Sequence, residues 1–173
     1  VRILGSHGRR PEDIPALLTA LGDEYGEVRQ AVLDALDSLN YEPEDAVTKA
    51  TIALEARDWR TLRTLGSSAA PLITRALRDS EMDPGSQQKR AYAVETLGYL
   101  DCIESLEGIE IALGDASSKV RAHAIDAVGR LKRRELGPAL VVRLTDDTSV
   151  HVRARAASTI GALGYAEGAV ALA

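Results

Sequence analysis

Val28-Arg29, Lys89-Arg90, Val120-Arg121 and Val152-Arg153 open four segments that superimpose without a gap. Three residues beyond each Arg stand Val32, Ala93, Ala124 and Ala156; seven beyond stand Leu36, Leu97, Val128 and Ile160; ten beyond stand Leu39, Leu100, Leu131 and Leu163. Spacings of 3, 7 and 10 place these side chains on one face of a helix. Eight beyond each Arg come Asp37, Gly98, Gly129 and Gly161, and the glycine position alone adds a degenerate copy closing at Gly66 and a truncated one closing at Gly5. Successive members advance by 32, 29, 32, 31 and 32 residues. A period of about 31 residues holds two short helices and two turns, so the chain is expected to be a stack of helix pairs.

The partner helix precedes the Arg-bearing one. Candidates run from Ile14 to Leu21, Asp45 to Ala56, Ala69 to Leu77, Ile103 to Leu113 and Leu136 to Leu144. Pro15, Pro71 and Pro138 fall at or near the first turn of three of them, where the missing N–H costs nothing. Asp23, Asp115 and Asp147 lie six residues before Arg29, Arg121 and Arg153 and suit turns where a carboxylate accepts backbone N–H groups. Gly22, Gly26 and the repeat glycines read as isolated turn residues, with no phosphate-cradling loop among them.

Composition agrees with stacked helices. Apolar residues reach 45% although aromatics are only 3%, so the core is built from Ala, Leu, Val and Ile at short packing distance. The net charge of −5 argues against an electrostatic reader of nucleic acid. Neither half is basic: residues 1–87 carry 10 Lys and Arg against 15 Asp and Glu, and residues 88–173 carry 11 against 11. Cys102 stands alone, which excludes an intrachain disulfide and a Cys-based zinc cluster and points to a reducing, cytoplasmic setting. No run of 18 apolar residues occurs, so no membrane association is expected.

The segment from Asp115 through Val120-Arg121-Ala122-His123-Ala124 to Gly129 resembles the short HEAT repeats of the phycobilisome-lyase type. The resemblance extends over helix pairs at about 11–39, 44–66, 69–100, 103–131 and 135–163, with half-repeats at 1–5 and 166–173. It implies an all-α fold without β-sheet, one right-handed α-solenoid of antiparallel helix pairs. It also implies second helices lining a concave side, and Asp and Arg of neighbouring repeats joined in a polar ladder. The half-repeats suggest a portion of a longer array, or caps. Two departures mark irregular points: Asp58 stands where the second pair should carry Arg, which predicts a buried or ladder-facing side chain, and the third pair has an expanded turn from Glu81 to Gln88.

Catalytic constellations are not evident. His7, His123 and His151 do not cluster, and no His-Glu dipeptide of the kind that binds iron in the similarly built deoxyhypusine hydroxylase occurs. Cys102 adjoins a helix-helix turn and reads as a packing residue. Asp58, Trp59 and Arg60 resemble residue types that HEAT-like alkylpurine DNA glycosylases use, and Arg57, Arg60 and Arg63 would form a helical stripe; Trp59 packed at a repeat junction is the simpler reading. Arg130, Lys132, Arg133 and Arg134 read as a solvated turn.

If second helices line the concave side, three rows form a groove: Ala31, Arg60, Tyr92, His123 and Arg155; Asp34, Arg63, Glu95, Asp126 and Ser158; Ser38, Ser67, Tyr99, Arg130 and Ala162. The candidate partner-binding residues are Arg60, Arg63, Tyr92, Glu95, Tyr99, His123, Asp126, Arg130 and Arg155, since Tyr and Arg are enriched at interface hot spots. The expected function is a non-enzymatic scaffold or adaptor for a protein partner, without cofactor or metal, within a larger complex or longer array. The resemblance offers as alternatives an accessory subunit of a bilin lyase or chaperone and, third, a DNA alkylation-repair protein.

Overall fold

The computed structural model describes residues 13–79 and 86–165. Among the described residues there are ten α-helices and no strand. They form five antiparallel pairs: α1 (Ile14–Ala20) with α2 (Gly26–Ser38), α3 (Ala46–Glu55) with α4 (Trp59–Leu65), α5 (Ala70–Asp79) with α6 (Gln87–Leu100), α7 (Ser105–Leu113) with α8 (Ser118–Leu131), and α9 (Gly137–Asp146) with α10 (Val150–Leu163). The proposed half-repeats, Gly5, His7 and most of the expanded turn lie outside the described residues. The chain divides into two compact units between Ala69 and Ala70.

Local chemistry sets the helix ends. The Asp45 carboxylate accepts the Thr48 N–H at 2.8 Å to start α3, and Asp58 accepts the Thr61 N–H at 3.1 Å to start α4. Pro15 and Pro138 occupy the first turns of α1 and α9. Asp101 and Lys132 end α6 and α8 in the left-handed region, at φ 43° and 54°, and Gly164 ends α10 at φ 58°.

The first unit holds α1 to α4. Leu17 and Leu21 from α1 and its end meet Val32, Ala35 and Leu36 of α2, with Leu33, Leu39, Tyr41 and Ile52 packed around them. Ala50, Ala53 and Leu54 of α3 and Leu62 of α4 are also buried. Full burial of a Leu or Val is worth roughly 1.5–3 kcal/mol, so each pair depends on this narrow stripe.

The second unit is two-layered. The second helices lie side by side, α6 against α8 and α8 against α10, while α5, α7 and α9 follow one another in the other layer. Between the layers Ile73, Leu97, Ile109, Ile125, Leu140 and Ile160 are fully or almost fully buried. The repeat glycines are not turn residues here: Gly98, Gly129 and Gly161 sit inside α6, α8 and α10. A Cβ on Gly98 would lie 2.8 Å from the Ala127 Cβ and 3.1 Å from its Cα, and one on Gly129 would lie 3.2 Å from Thr159 Cγ2. At Gly98 and Gly129 neighbouring second helices approach too closely for a side chain to fit without a shift, whereas a Cβ on Gly161 would meet nothing within 4 Å.

Candidate functional site

Second helices of the second unit put the same sequence positions at the solvent face, one helix after the next. From α6 come Tyr92, Glu95 and Tyr99; from α8, His123, Asp126 and Arg130; from α10, Arg155. Tyr92 and Tyr99 are 41% and 48% exposed. Two cross-helix contacts tie the face together. The Arg130 guanidinium carbon lies 4.1 Å from the centre of the Tyr99 ring, a cation–π contact from α8 to α6. Arg155 donates to the Asp126 carboxylate, linking α10 to α8.

The face therefore carries two open phenol rings, cationic Arg130 and Arg155, anionic Glu95 and Asp126, and the half-buried His123. Its charges alternate in sign. An extended polyanion would meet carboxylates as well as guanidinium groups there, which fits the acidic composition.

Arg60 and Arg63 belong to the first unit, both exposed on α4. The structure changes the reading of this segment in two places. Arg57 does not continue their stripe, because it lies in the turn before α4 with φ 59°. Asp58 is neither buried nor a ladder residue: it is the exposed N-cap of a helix about two turns shorter than its counterparts, and its second carboxylate oxygen accepts the Thr61 hydroxyl at 2.6 Å. Those two Thr61 hydrogen bonds, the side-chain one first, hold the Asp58 carboxyl below the ordinary carboxylate value. Trp59, at the start of α4, is partly buried.

A polar ladder runs beneath the surface. Arg121 donates from Nε and Nη2 to the two carboxylate oxygens of Asp147, both at 2.7 Å, and from Nη1 to the carbonyls of Asp115 and Ala116 at 2.8 and 2.9 Å. Arg90 grips Asp115 in the same two-pronged way, at 2.7 and 3.1 Å. Each Asp also accepts a backbone N–H two residues on, Ser117 for Asp115 and Ser149 for Asp147, both at 2.8 Å. One guanidinium thus ties the turn of its own repeat to the acid of the next and satisfies carbonyls that the turn would otherwise leave bare. The Arg121 hydrogen bonds hold the Asp147 carboxyl below its ordinary value against the opposing effect of burial, and Asp147 in turn raises Arg121.

In the first unit the acid is different. Arg29 donates from Nε to Glu55 at 2.8 Å, and its Nη1 holds the carbonyls of Asp23 and Glu24. Glu55 ends α3 and was not marked in the sequence, because the one Asp of that turn, Asp58, stands at the Arg position of the repeat; only the spacing of 26 residues between Arg29 and Glu55, the separation between Arg121 and Asp147, could have found it.

The remaining candidates for chemistry occupy ordinary structural places. Cys102 is half-buried with its Sγ 3.0 Å from the hydroxyl of the buried Ser105. His151 is exposed in the first turn of α10. The basic run is not all turn: Arg130 belongs to α8, and Arg133 bonds Asp101 of the preceding repeat at 3.4 Å and approaches Glu135 at 3.8 Å. Among the described residues no group of three or more His, Cys, Asp or Glu side chains is placed to hold a metal ion, and no helix is long and apolar enough to cross a membrane.

Paired helices in two layers, joined by a repeated Arg and acid ladder, define an all-α helical-repeat protein. Residues 106–173 match the family model for HEAT repeats, a stretch that begins inside α7. Over that stretch the chain is built of HEAT-like repeats. No curated protein matches it.

Proposed function

We propose that the chain is a non-catalytic scaffold whose α6, α8 and α10 surface binds a protein partner. HEAT repeats commonly serve as protein-interaction scaffolds, and the observation that carries the reading here is the pair of open rings, Tyr92 and Tyr99, set among charges of both signs. Tyr offers a large contact area at small entropic cost, and Arg130 is already positioned over one ring. A partner helix or extended peptide with apolar anchors and both acidic and basic side chains fits this surface better than a polyanion does.

The test is the affinity of a partner recovered by native purification and measured by calorimetry. Tyr92→Ala together with Tyr99→Ala should weaken binding at least about tenfold, the loss of roughly one hot-spot residue. Val142→Ser, an exposed position on α9, should leave it unchanged. Unchanged affinity in the double variant would remove this surface from the proposal.

A further inference from the structure

Just past the C-terminal end of α6, one repeat departs from its equivalents. Asn40 after α2, Asp101 after α6 and Lys132 after α8 all take the left-handed region, at φ 50°, 43° and 54°, so the residues that follow them occupy equivalent places. Two residues further on, α2 and α8 are followed by an exposed charge, Glu42 and Arg134. After α6 the same place holds Ile103, which is 65% exposed. A single exposed aliphatic side chain is ordinary, but Tyr99, four residues earlier, opens to solvent at the same end of α6.

Cations border this corner. The Arg130 guanidinium lies over the Tyr99 ring, and Arg130 and Lys132, both exposed at the end of α8, meet no carboxylate among the described residues. Asp101 and Glu135 are instead approached by Arg133, at 3.4 and 3.8 Å. Across residues 99–104 and 130–135 the cations Arg130, Lys132, Arg133 and Arg134 stand against the acids Asp101, Glu104 and Glu135, in a chain whose net charge is −5. The corner is therefore locally positive and carries two open apolar side chains.

We infer that this corner takes the acidic end of a protein partner: a short segment that lays apolar side chains on Tyr99 and Ile103 and brings Asp or Glu carboxylates to Arg130 and Lys132. The apolar pair supplies contact area, and the two cations without a carboxylate select the sign of the partner's charge. The assignment rests on the reading of the α6, α8 and α10 surface as a partner face and adds the direction in which the partner runs. Its acidic end lies at Tyr99, and the remainder extends toward Tyr92, seven residues and about 10 Å back along α6.

The test selects 12-residue peptides from a random library on the 173-residue chain and measures their affinities by fluorescence anisotropy. Selected peptides should combine Asp or Glu with large apolar residues. Ile103→Ser and Lys132→Glu should each weaken them at least about tenfold, while Val142→Ser on α9 leaves them unchanged. A peptide with its acids replaced by Lys should bind Lys132→Glu more tightly than it binds the unaltered chain. Circular dichroism checks that each variant folds, and Lys132→Gln, expected to weaken acidic peptides less than Lys132→Glu does, serves where the reversal does not. Selected peptides without acidic residues, or acidic peptides indifferent to both Ile103→Ser and Lys132→Glu, would overturn the inference. If such peptides still lose affinity with Tyr92→Ala and Tyr99→Ala together, the partner face stands and only the acidic corner falls. A library that yields no binding peptide, or peptides indifferent to all four substitutions, would overturn both.

Discussion

Replacing Asp147 by Asn probes the ladder at its most buried rung. The Asp147 side chain has no exposed area and Arg121 retains 8%, while Glu55 and Arg29 retain 20% and 27%. Asp147→Asn keeps the shape and one acceptor but removes the counter-charge, leaving the Arg121 guanidinium buried with two backbone carbonyls. Breaking a buried ion pair from one side costs about 3–5 kcal/mol, and the retained acceptor places this variant near the lower end. Domains are stable by only about 5–15 kcal/mol, so the loss is large. Glu55→Gln removes the counter-charge from a more exposed pair, joined at 2.8 Å, and should cost about 1 kcal/mol or less. Asp115→Asn, from a two-pronged pair with 12% and 9% exposure, should fall between. Repeat arrays need not unfold in one step, so urea denaturation should be paired with native-state hydrogen exchange read at α9 and α10. Equal losses for all three variants, or less than about 1 kcal/mol for Asp147→Asn, would refute the argument that burial sets the strength of each rung.

Gly98→Ala should destabilise the second unit by about 1–3 kcal/mol in spite of the better helix propensity of Ala, because the new methyl meets the Ala127 Cα at 3.1 Å; urea denaturation measures it. Gly161→Ala, with open space around it, should instead stabilise the chain by about 0.5–1 kcal/mol in the same assay. Acid should loosen the second unit through Asp147. Its folded-state carboxyl lies below the ordinary 3.8, so the stability it contributes is complete above that value and is lost as pH falls through the lower folded value. Asp147→Asn should flatten this part of an acid titration followed by circular dichroism. Arg130→Ala should cost only about 0.5–1 kcal/mol, the worth of an exposed cation–π contact, and leave the helix content unchanged.

The period of about 31 residues fixed the helix pairs before any coordinates, because apolar spacings of 3, 7 and 10 admit only one helical face and proline and aspartate mark where helices start. The same register put Tyr92, Tyr99, His123, Asp126, Arg130 and Arg155 on solvent-facing positions of three adjacent helices, since a residue's face follows from its helix phase alone. Tertiary structure decided what the repeated residues are for. Gly98 and Gly129 read locally as turn residues, yet the reason for them is a neighbouring helix about thirty residues away. Glu55 pairs with Arg29, and Asp58 caps its own helix in place of joining the ladder, because α4 lacks the turn that carries the Arg elsewhere. Periodicity encodes which side chains share a face; which partner each one meets across space depends on how closely the helices pack, and that was set only by the fold.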